Sequence, residues 1–250
     1  MSLPDANQES APAKAHWFAT THWSVVLSAA DSGSAKAAES LETLCRTYWY
    51  PLYAYVRSQG YSPEDAQDLT QGFFERFLEK HYLHDVDRQK GKFRSFLLAA
   101  LKHFLSDEWR HQHRQKRGGG KRFISLDEER PEERYRLEPA DWLNPEKIYE
   151  RRWALTLLEQ VLARLEAEFS AAGKARLFVQ LQGFLLGEKN AVPYAEVAER
   201  LNLSEGAVKV AVHRLRQRYG ELFCAEIAQT VASPEEVDEE IRHLLDVLGS

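Results

Sequence analysis

The stretch YAEVAERLNLSEGAVKVAVHRLRQR, Tyr194–Arg218, contains two short helical patterns that meet at Asn202-Leu203-Ser204. Val197, Leu201 and Leu203 supply an apolar clamp for the first helix and the turn. Asn202 stands where the chain needs a left-handed residue, a conformation that Asn tolerates better than most. Ser204 is placed to cap the second helix. At about 100° per residue, the inner stripe of that helix is Val208, Val212, Leu215 and Tyr219. Its outer face carries Gly206, Val210, His213, Arg214 and Gln217, with Lys209 at the edge. A helix of this kind fits a DNA major groove. Ser204, Glu205 and Gly206 would lie near base edges and the basic C-terminal half near phosphates.

The rest of the chain is helical by the same criterion. Apolar residues recur at three- and four-residue spacing almost throughout, and nine prolines and thirteen glycines are too few for a β-sandwich. The fold class is therefore all-α. Cys45 and Cys224 lie far apart without a CxxC neighbour, which argues against a disulfide framework or zinc site and for a reducing compartment. The N-terminus MSLPDANQESAPAKAH lacks the apolar core of a signal peptide, and no spanning segment is apparent, so a cytoplasmic protein with no membrane contact is expected.

Two helical domains are expected, joined by a flexible acidic linker, the second ending in the helix-turn-helix. Residues 1–15 read as disordered and 16–117 as the first domain. It contains a helix with Leu41, Leu44, Tyr48, Leu52 and Tyr55 inward, which Pro51 should kink or break. A second helix starts cleanly at Ser62-Pro63 with Glu64 and Asp65 in its first turn. Ala66, Leu69, Phe73 and Phe77 form its apolar face, leaving Asp65, Asp68, Gln71, Glu75 and Glu79 outside. A third helix, GKFRSFLLAALKHFLSDEWRHQHRQKR, stops at Gly118-Gly119-Gly120; Trp109 is assigned to the core. Residues 118–144 are the linker, 145–224 the second domain and 225–250 an acidic amphipathic extension.

The net charge of −5 conceals a strong segregation. Eleven Lys/Arg stand against Asp107 and Glu108 between Arg88 and Arg122. Nine acids face four bases from Phe123 to Glu150, and seven face one from Ala225 to Ser250. The basic stretch offers cations for phosphate backbones and aromatic rings beside them. Lys90, Lys92 and Arg94 flank Phe93 at its start, while His103, Asp107, Arg110 and Arg114 share one face further along.

In order, DAQDLTQGFFERFLEK, GKFRSFLLAALKHFLSDEWRHQHR, a linker with ISLDEE, and YAEVAERLNLSEGAVKVAVHRLRQRY resemble the extracytoplasmic-function (ECF) class of bacterial RNA polymerase sigma factors. The resemblance covers about Leu41 to Phe223. It implies a function in promoter recognition, DNA melting and transcription initiation, with core RNA polymerase (β′ clamp and β flap) and promoter DNA as partners and no chemistry of the chain's own. The matching residues would be Asp65, Asp68, Gln71 and Glu75 on the clamp, and Lys90 to Arg114 on the downstream element. Ser204, Glu205, Gly206, Lys209, Val210, His213, Arg214 and Gln217 would meet the upstream element. The linker would thread the polymerase's basic channels. Two departures stand out: His103 where Asn is frequent, and Val210-Ala211 where many members carry Ser-Arg.

An anti-sigma factor or a Ser/Thr kinase is the regulator such a protein implies. Thr70, within the clamp-docking helix, is a candidate phosphorylation switch, since a phosphate would add about −1.5 to −2 charge to that surface. Val231, Val237, Ile241, Leu244, Leu245 and Leu248 give the C-terminal extension an apolar stripe for docking back on the protein or on a partner. Two other classes compete. A stand-alone helix-turn-helix regulator would bind duplex DNA without polymerase. A nuclease would need Asp65, Asp68, Glu75 and Asp107 as metal ligands, with His111 and His113 helping, but side chains at i and i+2 of a helix diverge, and no His/carboxylate set at i, i+3 or i+4 converges into a fourfold site. No catalytic residue, metal or cofactor is therefore expected.

Overall fold

The computed structural model describes residues 35–79, 92–114, 131–137, 144–185, 192–231 and 233–249. Lys90 and most of the expected linker lie outside them. The described residues form helices α1 (Ala35–Ser58), α2 (Pro63–Glu79), α3 (Phe93–Arg114), α4 (Pro131–Leu137), α5 (Pro145–Ala171), α6 (Ala175–Leu181), α7 (Tyr194–Leu201), α8 (Glu205–Thr230) and α9 (Val237–Gly249), with no strand among them.

Local chemistry sets the helix starts. Ser62 Oγ accepts the Asp65 N–H at 3.1 Å and donates to the Asp65 carboxylate at 2.9 Å, opening α2. Asn144 caps α5 by accepting the Lys147 N–H at 2.8 Å, with Pro145 at the first helical position. Helix α1 runs through Pro51 instead of breaking there. Proline removes one backbone donor, and the burial of Tyr48, Tyr50, Leu52 and Tyr53 around it offsets that loss.

The packing departs from two independent domains. The larger core joins α1, α2 and α3 to the first half of α5: Tyr149, Trp153, Ala154 and Leu157 lie buried in one cluster with Tyr48, Phe73, Phe93 and Leu101. Val161 and Leu165, further along α5, belong to the second core with Phe178, Val197, Val208 and Leu215. One long helix thus serves both cores. The expected linker is also partly ordered, because residues 131–137 form α4, held between α1 and α5. Arg57 and Tyr53 both donate to Glu132, and Arg134 reaches Glu159 at 2.9 Å while lying 3.9 Å above the Tyr50 ring.

Candidate nucleic-acid interface

Helices α7 and α8 meet as the sequence pattern requires. Asn202 is left-handed, at φ 53° and ψ 47°. The N–H of Leu203 bonds to the Ala198 carbonyl at 2.9 Å and that of Asn202 to Glu199 at 3.2 Å, closing the end of α7. Ser204 Oγ accepts the Ala207 N–H at 3.2 Å. Val208, Val212 and Leu215 are buried, and Tyr219 is half-buried. Leu203, expected in the clamp, is 44% exposed, while at the start of α7 the Phe184 ring stacks on Tyr194 at 4.7 Å.

The outer face of α8 presents Gly206, Lys209, Val210, His213, Arg214 and Gln217, all exposed, with Ser204 and Glu205 at its start. Lys209 pairs with Glu205 at 2.7 Å and Gln217 donates to Glu221 at 3.3 Å. The positive ladder divides in two. Arg216 donates to the Phe184 carbonyl at 2.9 Å, and Arg218 grips Glu168 through two bonds of 2.8 Å. These two arginines are structural braces, a role that helical periodicity could not assign because their partners lie on other elements.

In the first half the expected melting residues separate into an inner and an outer set. Phe93 is fully buried, edge-on to Tyr48 at 5.3 Å, so it offers no free ring to an unstacked base. Arg94 is 3% exposed, lies 4.7 Å from the Trp153 ring centre and pairs with Glu240. Burial and the neighbouring arginine both shape this corner: desolvation first and Arg94 second push the Lys92 pKa down. His103 and Arg110 are exposed on one face with Asp107, which Arg110 approaches at 3.6 Å and Arg76 at 4.0 Å. The Arg114 side chain lies outside the described set. Trp109, assigned to the core from sequence, is 56% exposed. It lines an open cleft of about 470 Å³ with Tyr55, Gln59, Tyr61, Lys102 and Arg110. The exposed ring of this helix is therefore Trp109, because position 93 faces α1 and position 109 lies beyond the core contacts of α3.

On α2, Asp65 and Asp68 are exposed and Glu75 is half-buried. Gln71 is instead buried, at 5% exposure, one position inside the acidic face. Thr70 is fully buried, its hydroxyl donating to the Ala66 carbonyl at 2.7 Å. A kinase cannot reach that oxygen in this conformation, which corrects the expectation of a surface switch.

The C-terminal extension docks back on the chain. Val231 and Leu244 are buried, and Val237, Ile241 and Leu248 pack on the larger core, while Leu245, expected in the same stripe, is 62% exposed. Among the described residues, no group of three or more His, Cys, Asp or Glu is arranged to hold a metal ion, and no helix is long and apolar enough to cross a membrane.

No curated protein and no solved structure matches the chain. A family model described as ECF sigma factor matches residues 20–223. That match spans most of the chain, from ahead of α1 to the interior of α8, and so takes in α2, α3 and α7 together: the chain belongs to the ECF sigma factor family.

Proposed function

We propose that this sigma factor docks on core RNA polymerase through the acidic face of α2, reads an upstream promoter element with the outer face of α8, and opens a downstream element with α3. Asp65, Asp68 and Glu75 offer negative charge to a basic β′ clamp. The second core presents α6 and α7 to the β flap. On α3, His103 and Arg110 contact phosphates or bases, and the Trp109 ring stacks on an unpaired base.

The observation that carries this reading is the outer face of α8. Lys209, His213 and Arg214 are exposed together on a helix whose other arginines are tied down. A helix held that rigidly presents its base-reading side chains in one orientation. Val210 in place of a polar reader gives an apolar contact, suited to a thymine methyl group.

Purified protein added to polymerase core free of any other sigma factor should give promoter-dependent transcripts. Binding to duplex DNA without such transcripts would identify a stand-alone regulator, and metal-dependent turnover without polymerase an enzyme.

A further inference from the structure

We propose that α9 is an intramolecular latch, in which the Glu240 carboxylate occupies the place of a DNA phosphate on Lys92 and Arg94 and keeps those two cations from nucleic acid. The inference rests on the proposed reading of α3 as the helix that opens the downstream element, which makes Lys92 and Arg94 at its start cations for phosphate. Its geometry stands by itself.

Glu240 is fully buried, yet its two oxygens face two cations from the start of α3. Lys92 Nζ lies 2.6 Å from one oxygen, and the Arg94 guanidinium pairs with the other. Arg94 is pinned from the opposite side by the Trp153 ring of α5, and its carbonyl accepts the Tyr149 hydroxyl at 3.0 Å. The same corner, with Arg94 and Glu240 buried in it, therefore ties α3 to α5 and both to α9. Apolar packing of Leu244, Val237, Ile241 and Leu248 seats the helix, and Arg151 donates to the Leu248 carbonyl at 3.4 Å.

This arrangement is poor as simple glue and well suited to a switch. Replacing a buried ion pair by apolar residues is often neutral or stabilising, whereas removing one partner leaves an uncompensated charge. The latch is thus close to all-or-none. A nucleic-acid phosphate offers the same acceptor geometry to Lys and Arg as a carboxylate does, so DNA and Glu240 compete for one pair of cations.

The test uses the full chain. Amide hydrogen exchange over 237–249 is measured alone, with single-stranded oligo(dT), and with core polymerase. The latch requires exchange in α9 to accelerate by roughly tenfold or more when either partner binds; unchanged protection at saturation with both would overturn it. Glu240→Gln keeps the shape and removes the charge, and should raise oligo(dT) affinity by roughly tenfold. The control Asp246→Asn, the same charge change at an exposed position of α9, should not. Equal affinities in both variants would reject the latch. If Glu240→Gln does not fold, the exchange measurement on the wild-type chain decides alone. A wild-type protein that yields no promoter-dependent transcript defeats the functional reading, while the exchange data still judge the latch.

Discussion

Arg57 and Glu132 meet in a two-bonded fork, with Nε 2.9 Å from one carboxylate oxygen and Nη2 3.0 Å from the other. The Tyr53 hydroxyl adds a third bond, at 2.9 Å. The fork joins α1 to α4 across 75 residues of sequence and turns a segment of acidic linker into a fixed part of the fold. Such charge-assisted, bidentate contacts are the stronger kind.

Acid should release α4. Hydrogen bonding from Arg57, opposed in part by burial, holds the Glu132 carboxyl down at about 2, against an ordinary 4.5. A depressed carboxyl stabilises the fold at every pH above its unfolded value, and the stabilisation is lost as pH falls through about 2. An NMR titration of the Glu132 side-chain carboxyl should show a midpoint far below the ordinary range, returning towards it in Arg57→Gln. Identical midpoints in the two proteins would contradict the fork.

The turn between α7 and α8 should be sensitive at two positions. Ser204→Ala removes the acceptor for the Ala207 N–H and should cost about 1 kcal/mol in thermal or denaturant unfolding, with Ser204→Asp close to wild type. Asn202→Val forces a β-branched residue to φ 53° and should cost ~1–2 kcal/mol, whereas Asn202→Gly should be tolerated.

Arg214 and Arg218, one turn apart on α8, should separate cleanly. Arg214→Ala should weaken promoter binding by the polymerase complex by ~1–3 kcal/mol if the side chain grips a base through two bonds, with unfolding unchanged. Arg218→Ala breaks the brace to Glu168 and should lower stability by ~0.5–1 kcal/mol, the partly exposed setting limiting the effect. Measuring both quantities on both variants decides the assignment; a promoter defect equal in the two would refute it.

The thiols should differ in reactivity. Cys45 is buried, and desolvation pushes its pKa up to about 11, with Glu42 adding to the shift. Cys224 is exposed on α8. Iodoacetamide at neutral pH should modify Cys224 alone in the folded protein, and Cys45 only after denaturation, as read by peptide mass spectrometry. Early modification of Cys45 would mean that the larger core opens readily.

Short-range signals are legible in the chain itself. Ser62-Pro63, Asn202 and Ser204 each mark a helix boundary by a backbone need that the residue itself meets. Val208, Val212 and Leu215 were legible as an inner stripe because helical geometry alone puts them on one face, and Lys209, His213 and Arg214 as an outer one by the same rule. Ala66, Phe73 and Phe77 followed on α2.

Tertiary structure decided which faces are covered, and by what. Periodicity places Gln71 and Thr70 near the acidic face of α2 but cannot show that the packed helices reach far enough round to bury both. It pairs Phe93 with its flanking cations as a melting group, yet α1 claims the ring and α9 claims Arg94, from 146 residues away. It reads Trp109 as core, although among the described residues no element covers that end of α3 well enough to bury it. Residues near one another in sequence report the conformation they share. Burial and charge pairing depend on partners brought close only by folding, and no local pattern encodes their identity.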